Sequence, residues 1–213
     1  MKDVAAATPT WPPEPPLVAI LRGLGEHEAE GVGALLAEAG WRALEVPLNR
    51  PGALAAIGRL ATCLPPEVLV GAGTVTDPTQ VDAVAAAGGR LIVSPHFDAA
   101  VVERAVALGL RAVPGVFTAS EAFGALRSGA SALKIFPAEA MPLAGLKALA
   151  GVLPAGTALW PVGGITPASL ADWRRHGATG FGIGGALYQP GVPLTTVRER
   201  AAAFLSAWAA DGR

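Results

Sequence analysis

The sequence predicts an α/β protein folded as a single (β/α)₈ barrel, on three observations. The chain has 213 residues, which suits one domain with a large core. It is 52% hydrophobic and only 15% charged, as expected where parallel strands are covered on both faces. From Leu17 onward, short apolar runs alternate with longer amphipathic segments, the pattern of successive βα units.

Eight apolar runs read as strands, and a helical pattern separates each from the next. The predicted strands are Leu17–Leu21, Ala43–Pro47, Val68–Gly71, Leu91–Ser94, Ala112–Pro114, Ala132–Phe136, Ala158–Val162 and Gly180–Ile183. Eight consecutive units favour closure into a TIM-type barrel, since closure removes both edges of the sheet. A flavodoxin-like open sheet is the alternative, and it would leave three strands unexplained.

Glycines mark the ends of the predicted helices just before a strand, where the left-handed C-cap conformation is needed. They are Gly40, Gly88, Gly109, Gly129 and Gly177. Residues 1–16 are rich in proline and lack periodicity, so they are expected to form an extended tail. Residues 17–213 are then the barrel, ending in a C-terminal helix over 193–210.

The charge balance points to a small-molecule partner. Sixteen basic and seventeen acidic side chains give a net charge of -1, so no basic field would hold nucleic acid or an anionic membrane. No apolar run approaches the ~20 residues that span a bilayer. The single cysteine, Cys63, is expected to be buried, excludes an intrachain disulfide and fits a cytoplasmic location.

Lys134 is the sharpest chemical signal, because Ala132–Pro137 places one ammonium inside an otherwise apolar strand. Burial and a nearby cation, for which Arg22 at the end of the first strand is the candidate, would lower its pKa. A neutral amine can attack a ketone and form a Schiff base. The alternative is a lysine that reaches from the strand end into a structural salt bridge.

Glu45 is the second signal, because it stands in the second strand where a valine would serve the core. A carboxyl whose pKa is raised by burial suits proton transfer near neutral pH. The alternative is a structural ion pair with Arg22 or Lys134. The two roles are compatible with each other.

Glycine pairs follow the seventh and eighth strands, at Gly163-Gly164 and Gly184-Gly185. In barrels of this kind, phosphate binds at the loops after the last two strands, on backbone N–H groups and a following helix N-terminus. Simple turns are the alternative for each pair. Thr74, in a Gly-Ala-Gly-Thr turn after the third strand, is interpreted as a hydroxyl donor to substrate. The three histidines are scattered, so a metal site is not expected.

Five motifs occur in chain order and resemble one family. They are Ala19–Gly23, Glu45–Asn49, Gly71–Thr74, Ala132–Pro137 and Pro161–Ile165. The chain resembles the 2-keto-3-deoxy-6-phosphogluconate/phosphogalactonate aldolases from Leu17 to Gly191.

The resemblance implies a Schiff-base aldolase that uses no metal or organic cofactor and assembles as a homotrimer. Lys134 matches the Schiff-base lysine, and Glu45 matches the general acid/base. The residues that match the family's contacts around the keto-acid carboxylate are Arg22, Thr74 and Pro95. Further expected substrate contacts are Phe136, Val162 and, at the phosphate, Gly163, Gly164, Gly184 and Gly185. The implied products are pyruvate and glyceraldehyde 3-phosphate.

Pro47-Leu48-Asn49 and Val162 are typical of the phosphogalactonate branch, in which a serine usually stands at the position of Arg50. The gluco substrate, or both epimers, is therefore the first alternative. A sugar-phosphate isomerase or epimerase, with Glu45 as base, is a more distant one. A non-catalytic sugar-phosphate binding domain, with Glu45 and Lys134 as a structural pair, is another.

Overall fold

The computed structural model describes residues 9–210. Its strands are β1 Leu17–Ile20, β2 Ala43–Pro47, β3 Leu69–Gly73, β4 Leu91–Val93, β5 Arg111–Val113, β6 Gly115–Val116, β7 Leu133–Ile135, β8 Leu159–Pro161 and β9 Phe181–Ile183. Its α-helices are α1 Glu26–Ala39, α2 Ala53–Cys63, α3 Pro78–Ala86, α4 Ala99–Ala107, α5 Ala119–Arg127, α6 Leu143–Val152, α7 Leu170–Arg175 and α8 Leu194–Ala210. Helices and parallel strands alternate, which is the predicted α/β class.

The strands form two parallel sheets, one of six strands in the order β5-β4-β3-β2-β1-β9 and one of three in the order β6-β7-β8. Hydrogen bonds join the sheets at both edges. At one edge the Ser131 N–H donates to the Ala112 carbonyl at 2.7 Å. At the other, the Thr179 N–H donates to the Leu159 carbonyl at 2.9 Å, and Val162 bridges to Gly182. The order β5 to β1 contains no reversal of the kind found in a flavodoxin-like sheet.

Each predicted strand corresponds to a strand of the structure, and the structure adds one that was not predicted. The fifth predicted strand, Ala112–Pro114, matches β5, which ends at Val113, and the additional short strand β6 begins at Gly115. Pro114 has no N–H to donate to a neighbouring strand, although its carbonyl accepts from the Lys134 N–H at 2.9 Å. The third strand runs on to Gly73, beyond the predicted end at Gly71.

Side chains alternate between two apolar regions along each strand. One face packs under the helices in the main core, where Leu17 and Ala19 of β1 are fully buried. The other face forms a smaller interior cluster. Its buried members are Val18, Ala43, Leu69, Leu91, Val93, Val113, Ala132 and Trp160. This inner face therefore lies between the two sheets, away from the helices.

The segment before β1 has no helix or strand over residues 9–16, and residues 1–8 lie outside the described part of the chain. Trp11 packs against the interior cluster, with its ring 5.2 Å from that of Trp160. The guanidinium of Arg111 lies 5.4 Å from the Trp11 ring centroid. The Pro16 carbonyl accepts from the Phe181 N–H at 2.9 Å.

The predicted C-terminal helix is present as α8, which packs its Val197, Ala201 and Phe204 into the main core. The expectation that Cys63 is buried is wrong: it ends α2, whose buried face is carried by other positions, and it is exposed. Among the described residues, no helix is both long and apolar enough to cross a membrane.

Candidate active site

Two ionisable side chains extend from the inner face of the strands. In β2, Ala43 belongs to the interior cluster and Leu44 to the main core, so alternation returns Glu45 to the inner face. In β7 the same alternation places Lys134 between Leu133 and Ile135, which both face the helices. Glu45 is 2% exposed and Lys134 is 7% exposed. They line one small cavity together with Val18, Ile20, Val93, Val113, Trp160, Val162 and Gly182.

Burial dominates the electrostatics of Lys134. Loss of hydration lowers the pKa of its amine, the charge of Glu45 raises that pKa, and the charge of Arg22 lowers it. The Nζ atom lies 4.4 Å from the centroid of the Phe136 ring, two positions along the chain on the same face. The pKa is therefore lowered, in the direction that the sequence predicted, and this favours the neutral form of the amine.

Burial also dominates at Glu45. Desolvation raises the pKa of its carboxyl from 4.5 to about 7, against the charges of Lys134 and Arg22, which lower it. Its Oε2 has no hydrogen-bond partner among the described residues. Gly73 of β3 provides the space for this group, because a Cβ there would overlap the Glu45 carboxyl. The result is an unpaired acid that can gain or lose a proton near neutral pH.

A cleft of about 410 Å³ adjoins the cavity, and Ile20, Val162 and Gly182 line both. That volume suits a small organic ligand. The predicted site residues that line the cleft are Arg22, Phe136, Val162, Gly163, Gly164, Gly184 and Gly185. A ligand held in the cleft can therefore reach the inner face of the strands, where Lys134 and Glu45 lie.

The glycine pair at 163–164 is shaped for close approach of a ligand to the backbone. Gly163 and Gly164 have φ angles of 112° and 62°, which side chains rarely permit. The 3₁₀ turn Pro167–Ser169 follows the first pair and leads directly into the short α7. The expectation of a following helix N-terminus is wrong for the second pair, because α8 begins only at Leu194. Arg22 lines the same cleft and is a group there that could bind an anion, together with the backbone N–H groups of the glycine loops.

Two predicted site residues, Thr74 and Pro95, and the branch-atypical Arg50 lie elsewhere. Thr74 and Pro95 follow β3 and β4 at the same end of the sheet as the cleft, but neither lines the cleft or the cavity. Thr74 has a φ of 56°, an unfavourable conformation for a β-branched residue. Arg50 lines a separate groove with α2 and α3 residues, including Leu54 and Gln80.

One residue of the cleft was missed. Glu139 lies in the 3₁₀ turn Ala138–Ala140 after β7 and lines the cleft beside Gly163. The available signal was an acidic residue five positions after Lys134, just past the end of a strand. The role of Gly73, which leaves space for the Glu45 carboxyl, was also not predicted. Within residues 9–210, no group of three or more His, Cys, Asp or Glu side chains could hold a metal ion.

Comparison with known proteins decides the family. The model of the KDPG and KHG aldolase family matches residues 13–193. The chain belongs to this family. The predicted resemblance is thereby confirmed.

Two curated relatives in this family are similar over nearly the whole chain. The probable 2-dehydro-3-deoxy-6-phosphogalactonate aldolase of Rhizobium meliloti (strain 1021) is 44% identical over 200 residues, 94% of each chain. The 2-dehydro-3-deoxy-6-phosphogalactonate aldolase of Escherichia coli (strain K12) is 45% identical over 199 residues, 93% of this chain and 97% of that one.

Solved aldolase structures have the same fold. A native KDPGal structure superimposes with a TM-score of 0.93 at 42% identity, over 95% of this chain and 98% of that one. The Legionella pneumophila KDPG aldolase, solved with pyruvate captured as a covalent carbinolamine, gives 0.74 at 27% identity, over 92% and 93%.

Proposed function

We propose that this family member cleaves 2-dehydro-3-deoxy-6-phosphogalactonate to pyruvate and D-glyceraldehyde 3-phosphate through a Schiff base on Lys134. The observation that carries the proposal is the buried Lys134 amine sharing a cavity with the unpaired Glu45 carboxyl. The names of the two relatives above 40% identity support the substrate. The covalent pyruvate adduct of the Legionella enzyme supports the chemistry.

The reaction begins at Lys134. Its neutral amine attacks the C2 carbonyl, and the carbinolamine hydroxyl then takes a proton from the carboxylic acid form of Glu45 and leaves as water, which gives an iminium ion and the Glu45 carboxylate. Because desolvation lowers the pKa of this amine, the nucleophilic form is available near neutral pH. The iminium then accepts the electron pair of the C3–C4 bond as that bond breaks.

Glu45 moves the protons. Its carboxylate accepts the C4 hydroxyl proton, directly or through a water, as the aldehyde leaves and an enamine of pyruvate forms. The resulting carboxylic acid returns a proton to C3 of the enamine. Hydrolysis of the iminium releases pyruvate and regenerates the amine. A pKa of about 7 lets one group serve as base and then as acid.

Arg22 is assigned to the phosphate in this proposal, which differs from the carboxylate role that the resemblance implied. It lines the cleft with both glycine pairs, and guanidinium and backbone N–H groups are suited to phosphate oxygens. Thr74 and Pro95, at the ends of β3 and β4, remain the proposed contacts to the keto-acid carboxylate.

The galacto epimer is favoured because Val162 lines both the cavity and the cleft, whereas Arg50 lines a different groove. Pyruvate release from the galacto and gluco substrates side by side tests this. A strong galacto preference that persists in Arg50→Ser supports the assignment. Comparable rates in the wild type would support a dual-epimer enzyme.

Borohydride reduction with pyruvate tests the Schiff base. We expect trapping of pyruvate on the wild type and on Lys147→Met, whose lysine is exposed on α6, and none on Lys134→Met. A sugar-phosphate isomerase that uses Glu45 as base, or a binding domain without catalysis, would not be trapped at Lys134. Trapping that survives in Lys134→Met would contradict the mechanism.

We also propose that the chain forms one closed barrel and that three copies of it assemble. The two sheets are two arcs of one (β/α)₈ TIM barrel, in which β5 and β6 count as one strand; the hydrogen bonds at both edges support this. The assembly is a homotrimer, for which light scattering should give three times the 21.4 kDa chain mass. A single cysteine supports a cytoplasmic location.

A further inference from the structure

Glu139 is placed unusually for an acidic residue, because it lies against the glycines that the proposed function assigns to phosphate. A Cβ on Gly163 would overlap its carboxylate, and a Cβ on Gly164 would lie 2.7 Å from its Cγ. The Glu139 side chain therefore fills the space directly above both glycines. A ligand anion and this carboxylate cannot occupy that space together.

The Glu139 carboxylate is not fixed in this place by a polar partner. No hydrogen bond or ion pair joins it to another residue in the range 9–210. Glu139 is exposed, and it sits in a 3₁₀ turn of three residues, so its side chain can rotate away without disturbing a core. Arg22 lines the same cleft and makes it attractive to an anion.

The electrostatic cost of keeping Glu139 in place beside a phosphate is substantial. Two like charges in contact repel each other, and they do so more strongly at a protein surface than in bulk water, because the effective dielectric constant there is lower. A phosphate carries close to two charges at neutral pH. Phosphate binding is therefore coupled to departure of the carboxylate from the glycines.

We infer that Glu139 is a specificity-determining residue, a built-in anion that competes with the substrate phosphate for the Gly163-Gly164 loop. The inference rests on the proposed function for its phosphate, and it concerns binding at the loop rather than chemistry at Lys134. Because a binding site open for only a fraction of the time binds correspondingly more weakly, Glu139 lowers affinity for phosphorylated ligands. Ligands that do not reach the loop are unaffected.

Calorimetric titration with inorganic phosphate tests this on Glu139→Gln and Glu139→Ala. The matched control is Glu199→Gln, which removes one exposed negative charge from α8, outside the cleft. We expect both Glu139 variants to bind phosphate about tenfold more tightly than the wild type, as for a loop occupied about nine-tenths of the time. The control should bind as the wild type does.

Borohydride trapping of pyruvate separates this effect from a general change in the site. Pyruvate reaches Lys134 without a phosphate, so its trapping rate should be the same in all four proteins. Unchanged or weaker phosphate binding in both Glu139 variants would overturn the inference; weaker binding in Glu139→Ala alone would assign Glu139 to hydrogen bonding with the ligand instead. Tighter phosphate binding with no pyruvate released from either sugar acid would leave the inference standing and reject the proposed substrate.

Discussion

Glu45 and Lys134 line one cavity from two strands that are not neighbours, and the charge on each returns the other's pKa part of the way toward its ordinary value. Burial has the larger effect on both groups. The pair is therefore more easily neutral than two separate exposed groups would be, which is the condition that amine attack and proton transfer require.

The first prediction concerns stability and pH. The pKa of Glu45 is about 7 in the folded chain against an ordinary value of 4.5, so between these pH values the folded state binds the extra proton. Stability contributed by this group is therefore present below pH 4.5 and is lost as pH rises toward 7, by about 3 kcal/mol in all. Glu45→Gln should remove this loss.

Urea unfolding at pH 5, 6 and 7 measures that change. The free energy of unfolding of Glu45→Gln should increase relative to that of the wild type as the pH rises. Glu67→Gln, which removes an exposed carboxyl, should follow the wild type. A constant difference between Glu45→Gln and the wild type over this range would mean that the carboxyl has a normal pKa in the folded protein.

The second prediction concerns the space that Gly73 leaves. Gly73→Ala forces the Glu45 carboxyl to move, and misplacement of a catalytic group by about 1 Å costs on the order of 10²-fold in rate. Gly151→Ala is the matched control, because nothing lies within 4 Å of a Cβ there. It should keep full activity and gain up to about 1 kcal/mol in stability, since alanine favours the helix. Equal kcat values in the two variants would show that the space at Gly73 does not position Glu45 for catalysis.

The third prediction concerns the backbone of Thr74. A β-branched residue at a φ of 56° stores strain that glycine relieves, so Thr74→Gly should raise the free energy of unfolding by about 1 kcal/mol. If its hydroxyl contacts the substrate, the same variant should lose at least about tenfold in kcat/KM, the effect of one hydrogen bond. Thr74→Ser should keep most of the activity. A glycine variant that is both stable and fully active would leave the hydroxyl without a role.

The fourth prediction concerns Trp11, whose ring contacts Trp160 and Arg111. Aromatic and cation–π contacts each contribute about 0.5–1.5 kcal/mol, so Trp11→Ala should cost about 1–3 kcal/mol in stability. Trp11→Phe should recover much of that loss. Pyruvate trapping should be the same in both, because Trp11 lines neither the cavity nor the cleft. Slower trapping in Trp11→Ala alone would connect this end of the chain to the site.

The strands were predictable because they follow a pattern of short apolar runs. Lys134 and Glu45 were predictable because each interrupts such a run with a charge. Apolar runs located each strand to within a few residues, and a charge inside such a run marked Lys134 and Glu45. The short strand β6, which begins directly after Pro114, was not predicted, because two residues are too few to show a pattern. Periodicity does not contain that information.

Glu139 was missed for a physical reason. It lies in a three-residue turn with no periodicity, and its proximity to Gly163 depends on how the loops after β7 and β8 meet in space. The phosphate role proposed for Arg22 likewise depends on the tertiary structure, since only the folded cleft groups it with the glycine pairs. Contacts between loops from different strands are set by the tertiary structure.

The interior cluster beneath Glu45 and Lys134 is entirely apolar, with Trp160 as its largest member. Cores of this type accept extensive repacking when volume and polarity are kept. Half of the cluster, Val18, Val93, Val113 and Trp160, also lines the cavity of the two ionisable groups, so any change in their volume alters the space in which they are proposed to react. The other members, Ala43, Leu69, Leu91 and Ala132, line neither the cavity nor the cleft, and natural drift or laboratory evolution can adjust heat resistance through them with the least effect on turnover.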